Sequence, residues 1–464
     1  MTLITSISGI RGTIGGVPGE SLTPVDVIKY TAAFAQFIIE RHGGKTNIKV
    51  VIGRDSRPSG RMIRDLVSGT LVGMGIDVVD LEMAPTPTVE IAVTEEAAQG
   101  GIIITASHNP EQWNALKLLN EDGEFLSASE GNMVLDLAES QEQKYAHESK
   151  LGSYRLDDSY VQKHIEKILS LSLVDVKAIS EAKMTVAIDG INSVGSIAIP
   201  LLLDQLGVEK VMLINGEPAG KFQHNPEPLP KNLKGLSKLV VETKADVGFA
   251  VDPDVDRLSI ILENGKMFGE EYTLVAVADY VLQSEVGTTV SNLSSTLALK
   301  EITEKAGGLY YASAVGEVNV VDLMKKHHAI IGGEGNGGVI FPALHYGRDS
   351  LVGIALFLTF LAKSGQKCSM LRSQYPNYFI SKKKMVLDDN LNIDRLFQKI
   401  SEKYKTQPQN RIDGVRIEFH AEWVHLRKSN TEPIIRIYAE SDTPSKADEL
   451  AFKIMNDINS FLKE

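Results

Sequence analysis

Apolar and polar positions fall in blocks along this chain, and three stretches repeat one outline. Residues 49–81, KVVIGRDSRPSGRMIRDLVSGTLVGMGIDVVDL, begin with an apolar β-branched run. A polar turn, a segment with helical spacing, a glycine and a second β-branched run follow. Residues 184–214 and 288–315 keep the same order. Short apolar runs bounded by turn residues predict buried strands, and the three-and-four spacing between them predicts a helix. Strand–helix–strand units need a mostly parallel sheet covered by helices, so the pattern predicts three related α/β domains. The last part differs. VRIEF (415–419) and PIIRIYAE (433–440) are strand-like, and residues 445–464 have helical periodicity with Ser445 as N-cap, which predicts a smaller α+β domain. Polar stretches at 139–153 and 372–385 suit linkers. The expected domains are 1–152, 153–256, 257–372 and 373–464.

Composition narrows the function classes. A chain of 464 residues favours three or four domains. With 43% hydrophobic and 23% charged residues it has the make-up of an ordinary globular protein. No run approaches the roughly 18 apolar residues of a membrane helix, and the start MTLITSISGIRGTIGG lacks a signal-peptide pattern. Cys368 is the only cysteine, which rules out a disulfide framework or a Cys-ligated metal and suits a reducing cytoplasm. The net charge of −12 argues against nucleic-acid binding. It leaves room for an anionic small molecule held by a few local donors.

Five segments carry candidate chemistry. In GGIIITASHNP (100–110) an apolar strand ends abruptly, and Pro110 and Asn109 turn the chain. Ser107 is thereby presented beyond a strand end, where α/β sheets place reactive groups, and His108 beside it can supply a hydrogen bond or a positive charge. In FAVDPDVDRLSIIL (249–262), Asp252, Asp254 and Asp256 stand at every second position between two strands. Three crowded carboxylates repel unless a cation lies among them, and an all-oxygen set favours a hard ion such as Mg²⁺. Glu263 stands twelfth from Asp252, as in a calcium-binding EF-hand loop. The sixth position is Arg257, however, where that loop needs glycine. A D-x-D strand end is also the opening of aspartate-nucleophile phosphatases, although Asp256 stands where those have Thr or Val. In IIGGEGNGGVIF (330–341) glycines surround Glu334 and Asn336, a combination suited to sugar hydroxyls. In VHLRKSNTEPIIRI (424–437), Arg427, Ser429, Asn430, Thr431 and Arg436 crowd a turn and can cradle a phosphate. Finally, Arg11 follows a glycine turn in SGIRG (8–12), and Arg54 and Arg57 flank the first strand's end in GRDSR (53–57). Each of these could be a surface arginine.

In this order, the motifs S-G-I-R-G, T-A-S-H-N-P, D-P-D-V-D-R, G-E-G-N-G-G and R-K-S-N-T-E-P resemble those of the α-D-phosphohexomutase family, over essentially the whole chain. The resemblance implies four domains around a central cleft, three α/β with mixed sheets and a smaller C-terminal α+β domain. It implies an intramolecular phosphotransferase with Ser107 as phosphoserine, and one Mg²⁺ held by Asp252, Asp254, Asp256 and the phosphoserine. Lys117, in W-N-A-L-K, would be the general base, with Arg11 and His108 near the phosphoserine. Arg257, Glu334 and Asn336 would contact substrate, and Arg427, Ser429, Asn430, Thr431 and Arg436 would hold the non-reacting phosphate. A bisphosphorylated sugar would serve as intermediate and activator. Chain length and compact loops are similar to the branch that interconverts glucosamine 6-phosphate and glucosamine 1-phosphate. Glucose or mannose phosphates are the alternative, and a metal-dependent sugar phosphatase a further one. Gly338, Asn336, Pro253, Ala115 and Asn430 depart from common bacterial versions without touching the reaction class. The expected partner is a hexose or hexosamine phosphate, with no nucleic acid and no membrane, in a monomer or homodimer.

Overall fold

The computed structural model describes residues 2–6, 9–43, 47–140, 142–386, 392–428 and 434–462. The chain forms two compact units, Met1–Thr273 with Asn336–Leu371 and Leu274–Gly335 with Arg372–Glu464.

The first unit holds two sheets. The larger contains β1 (Ile4–Ser6), β2 (Gly9–Thr13), β3 (Lys49–Arg54), β4 (Asp77–Met83), β5 (Gly100–Ile104), β6 (Trp113–Leu119) and β7 (Tyr154–Leu156), in the order β1-β2-β6-β5-β3-β4-β7. β3 runs parallel to both β4 and β5, while β6 returns antiparallel to β5. The first predicted repeat is therefore β3, the helix Gly60–Gly73 and β4. Alternation along β3 explains its unbroken apolar run. Val50 and Ile52 pack with Phe34, Ile38, Ile63 and Leu71 on one face. Val51 packs with Val89, Ala92 and Val93 on the other. The helix Pro24–Arg41 starts at Thr23 through a reciprocal capping box with Asp26, with Pro24 fitting the first turn.

The smaller sheet contains β8 (Thr185–Asp189), β9 (Lys210–Ile214), β10 (Val247–Val251) and β11 (Leu258–Leu262), in the order β11-β10-β8-β9. β8 is parallel to β9 and β10, and β11 is antiparallel to β10. The β10–β11 connection carries the three aspartates. Beneath them the helix Ser350–Ser364 is buried from Ser350 to Leu361, and its Phe357 meets Phe249 and Phe268 edge-on at 6.0 and 5.4 Å. β15 (Gly338–Ile340) precedes this helix.

In the second unit, β12 (Thr288–Asn292) lies parallel between β13 (Leu309–Ser313) and β14 (Ile331–Glu334), which realises the third repeat. An antiparallel sheet follows, with β16 (Phe379–Val386), β17 (Gln409–Asn410), β18 (Val415–Phe419), β19 (Glu422–Lys428) and β20 (Ile434–Ser441) ordered β16-β20-β19-β18-β17. The helices Ile393–Lys403 and Pro444–Leu462 share its core through Phe397, Ile400, Ala451 and Ile454. The architecture is four domains, three α/β and one smaller α+β, with mixed sheets.

Two expectations need correction. The stretch 372–385 is no simple linker, because Phe379–Val386 pairs with β20 along its whole length. Its lysines mark a charged edge strand, a common defence of an open sheet edge. The last helix begins at Pro444 rather than after a Ser445 cap. Proline's fixed φ suits the first helical position, and Thr443 accepts from the Lys446 and Ala447 amides through its Oγ1 (3.4 Å) and carbonyl oxygen (3.1 Å). Among the described residues no helix is long and apolar enough to cross a membrane.

Candidate active site

Ser107 lies just beyond β5 with φ +47°, in the left-handed region that few non-glycine residues enter. It is not on an exposed turn, since only 8% of its surface reaches solvent. Its Oγ donates to Asp252 Oδ2 at 2.6 Å and stands 3.4 Å from His108 Nδ1. Its amide donates to Thr105 Oγ1 at 3.0 Å. Burial, and after it the Arg257 charge, lowers the His108 pKa to about 3. The imidazole is neutral near pH 7 and offers hydrogen bonding rather than positive charge.

The β10–β11 connection brings Asp252, Asp254 and Asp256 together. All three are buried, and they offer carboxylate oxygens within 4.8 Å of one another. Thr86 Oγ1 donates to Asp254 Oδ2 at 2.8 Å, Lys117 Nζ lies 2.7 Å from the same oxygen and 3.6 Å from Asp256 Oδ2, and Arg348 Nη2 lies 2.7 Å from Asp256 Oδ2. Asp254 Oδ1 and Asp256 Oδ1 are buried without a hydrogen-bond donor among the described residues. Burial, joined by Asp256 and Asp254, pushes the Asp252 carboxyl well above its usual range. Burial pushes Asp254 the same way, but Lys117 outweighs it and holds Asp254 low. Burial would likewise lower Lys117, and Asp254 and Asp256 reverse that. An all-oxygen pocket with two unmatched oxygens and one carboxyl driven toward protonation fits a hard divalent cation.

Arg257 extends this loop, with its amide donating to Asp252 Oδ1 at 3.2 Å and its Nε 4.0 Å from Asp252 Oδ2. Arg11, on β2, is close enough to Arg257 and His108 for its charge to act on both. Ser107, His108, Lys117, Arg11, Arg257 and the three aspartates are thus gathered in the first unit. Asn336 belongs to the same unit, where its Oδ1 accepts from the Gly338 amide at 3.2 Å.

The remaining residues lie in the second unit. Glu334 ends β14 and is buried. Its Oε1 accepts from Asn292 Nδ2 at 2.8 Å and from the Gly316 amide at 3.2 Å. Arg427 and Arg436 are directly opposite across β19 and β20, so two like charges share one face. Such a pair is unfavourable without an anion or carboxylate nearby. Asp413 lies 3.6 Å from Arg427. Ser429, Asn430 and Thr431 lie outside the described residues.

Sequence reasoning missed Arg348 and Thr86, and left Arg57 as a possible surface arginine. Arg57 is fully buried and not a surface arginine. Its signal was the G-R-D-S-R string at a strand end, the same kind of position that identified Ser107.

Four successive domain profiles of phosphoglucomutase/phosphomannomutase match the chain: α/β/α domain I at 3–145, domain II at 160–265, domain III at 269–378 and the C-terminal domain at 387–456. The chain belongs to this family. A phosphoglucomutase/phosphomannomutase of Thermococcus kodakarensis is 37% identical over 443 residues, covering 94% of this chain and 96% of that protein. A phosphoglucosamine/phosphogalactosamine mutase of Sulfurisphaera tokodaii is 33% identical over 462 residues, 98% of each. Among solved structures, a family protein from Burkholderia thailandensis superposes with TM-score 0.84 at 24% identity, over 98% of this chain and 97% of that one. The phosphoglucomutase pp63/parafusin of Paramecium gives 0.78 at 17% identity, over 99% and 96%. The protein is a phosphohexomutase, an isomerase that moves a phosphoryl group within a sugar phosphate, and its acidic triad is a metal-binding candidate in a metal-dependent family.

Proposed function

We propose that this phosphohexomutase works through a phosphorylated Ser107, with the aspartate loop holding one Mg²⁺, and that it interconverts glucosamine 6-phosphate and glucosamine 1-phosphate. The observation that carries the mechanism is the Ser107 Oγ to Asp252 Oδ2 contact of 2.6 Å at the edge of a buried cluster of three carboxylates. Asp252, Asp254 and Asp256 would hold the ion, which supplies charge neutralisation to the phosphoryl oxygens when bound. Ser107 gives its phosphate to the sugar monophosphate and later receives the other phosphate of the bisphosphate intermediate. Phosphoryl transfer depends on alignment and neutralisation more than on covalent help. Arg11 and Arg257 supply fixed positive charge, while neutral His108 orients a lone pair or proton at Ser107.

Lys117 is the proposed general base. Its ion pair with Asp254 holds it protonated, and it would exchange that proton with a sugar hydroxyl once Asp254 is engaged in holding a cation. Arg427 and Arg436 suit the non-reacting phosphate, because an anion relieves their repulsion. Ser429, Asn430 and Thr431 would join them, and Glu334 and Asn336 would bind sugar hydroxyls. Each of the proposed segments 1–152, 153–256, 257–372 and 373–464 would then contribute one functional loop. A bisphosphorylated sugar would act as activator.

For the sugar, the phosphoglucosamine/phosphogalactosamine relative, matched from end to end, supports glucosamine phosphate. Glu334 is a chemically suitable partner for a 2-ammonium group. The higher identity to the Thermococcus protein favours a second possibility, glucose or mannose phosphate. Comparing kcat/KM for the three phosphates under one set of conditions decides between them. An advantage of about tenfold or more for glucosamine phosphate is expected, in line with one extra charge-assisted bond. A comparable advantage for glucose or mannose phosphate overturns the sugar assignment.

A further inference from the structure

Ser107 sits in an unfavourable backbone conformation, and one side chain binds much of the loop that keeps it there. Arg57 is 1% exposed. Its Nη2 donates to the carbonyls of Ser107 and Asn109, both at 2.6 Å, and its Nη1 to those of Pro110 at 2.5 Å and Trp113 at 3.1 Å. Its Nε donates to Asp55 Oδ2 at 2.9 Å. The five bonds match the five N–H groups of a guanidinium. Asp55 is bound in turn: Oδ2 accepts from Thr105 Oγ1 at 2.7 Å and Oδ1 from the Arg57 amide at 2.9 Å. Thr105 Oγ1 accepts the Ser107 amide, which closes the circuit.

The residue between them reaches the other half of the site. Ser56 Oγ donates to the Asn192 carbonyl at 2.8 Å, and its amide donates to Ser193 Oγ at 3.4 Å. Ser193 Oγ donates to the carbonyl of Pro253, within the aspartate loop, at 2.6 Å. Gly220, at φ +69°, lets the chain pass over this junction, since a Cβ there would lie 2.1 Å from the Ser56 carbonyl oxygen. One tripeptide thus ties the serine loop to the aspartate loop.

We infer that Asp55–Ser56–Arg57 is a clamp that sets the Ser107 oxygen against the aspartate loop, with Arg57 as a positioning residue for phosphoryl transfer. The inference rests on the proposed role of Ser107. A left-handed non-glycine residue persists only where its surroundings over-determine it, and here the guanidinium fork does so. Lysine keeps the charge beside Asp55 but offers a single point of donation in place of a planar fork. The loop then loses carbonyl partners while the ion pair survives. Displacement of a reacting group by about 1 Å costs on the order of 100-fold in rate, and substrate binding through other residues is spared.

The test is steady-state kinetics with Mg²⁺ and glucose 1,6-bisphosphate on wild type, Arg57→Lys, Asp55→Asn and Ser107→Ala. Leu356→Ala, in the buried core of the helix Ser350–Ser364, is the control for lost stability. Arg57→Lys should lower kcat by about 100-fold with KM within about threefold, and Asp55→Asn should move kcat in the same direction. Leu356→Ala should keep its kcat per folded molecule. If Arg57→Lys does not fold, Asp55→Asn decides. A kcat within threefold of wild type in the folded variants, or a loss confined to KM, overturns the clamp. Full turnover by Ser107→Ala would instead overturn the role of Ser107 itself.

Discussion

Two clusters in the first unit, one buried and one buried but for a half-buried His345, offer metal-ligand atoms within 4.8 Å of one another: Asp252, Asp254 and Asp256, and His164, His345 and Asp349. They differ in how charge is matched. Asp349 Oδ2 lies 2.9 Å from His164 Nε2 and 3.4 Å from His345 Nε2, and its Oδ1 accepts the Leu351 and Val352 amides at 2.8 and 3.3 Å. His164 Nδ1 meets Thr88 Oγ1 at 3.0 Å, and His345 Nδ1 lies 3.3 Å from Glu90 Oε2. Burial would lower the His345 pKa, but Asp349 and Glu90 reverse this and raise it to about 9, so a cation is already built in. The aspartate triad keeps two buried oxygens without donors and one carboxyl driven upward, despite Lys117 and Arg348. Ligand-type atoms in proximity therefore do not define a metal centre. The triad beside Ser107 offers oxygen ligands alone, as a hard ion prefers, whereas the second cluster already holds its own cation on His345.

Substitutions can separate the two clusters. The largest effect is expected at the triad's edge, where Ser107→Ala should lower mutase kcat by about 10⁴-fold or more with unchanged melting temperature, measured in a coupled assay. Asp254→Asn should follow, with a loss of about 100-fold and a raised Mg²⁺ requirement in a metal titration. EDTA should silence the wild type, and Mg²⁺ should restore it. Asp349→Asn keeps a good helix cap but removes the carboxylate between two histidines. It should destabilise by about 3 kcal/mol in urea unfolding and leave the Mg²⁺ dependence of the folded fraction as it was.

The smallest effect is a pH dependence. Below pH 6.5 His345 is protonated whether the chain is folded or unfolded, and its stabilisation is fully present. From there to about 9 the native state alone holds the proton, so this contribution falls as pH rises and is gone above about 9. His345→Gln should flatten that part of the urea-stability profile.

What the chain discloses on its own depends on whether partners are neighbours in sequence. Ser107 and the three aspartates stood out as candidates because each lies on a short string at the end of an apolar strand. The repeats were legible from their shared strand–helix–strand order, most plainly at β3, which is buried on both faces and reads as an apolar run. Arg57 was not legible as a buried residue, since its acceptors on the serine loop lie about fifty positions away and only folding supplies them. The Asp349 cluster was hidden more deeply, with His164 separated from Asp349 by 185 positions. β16 was mistaken for a linker because an edge strand rich in lysine carries little of the apolar signal that marks a strand.

The most direct test of the central claim, a phosphoryl group carried by Ser107, is labelling of the purified protein with a sugar bisphosphate bearing ³²P. The account predicts about one label per chain, on the peptide containing Ser107, chased onto sugar by unlabelled monophosphate at a rate no slower than turnover. Label on another residue, no stable label, or release as inorganic phosphate at the rate of sugar turnover would contradict it.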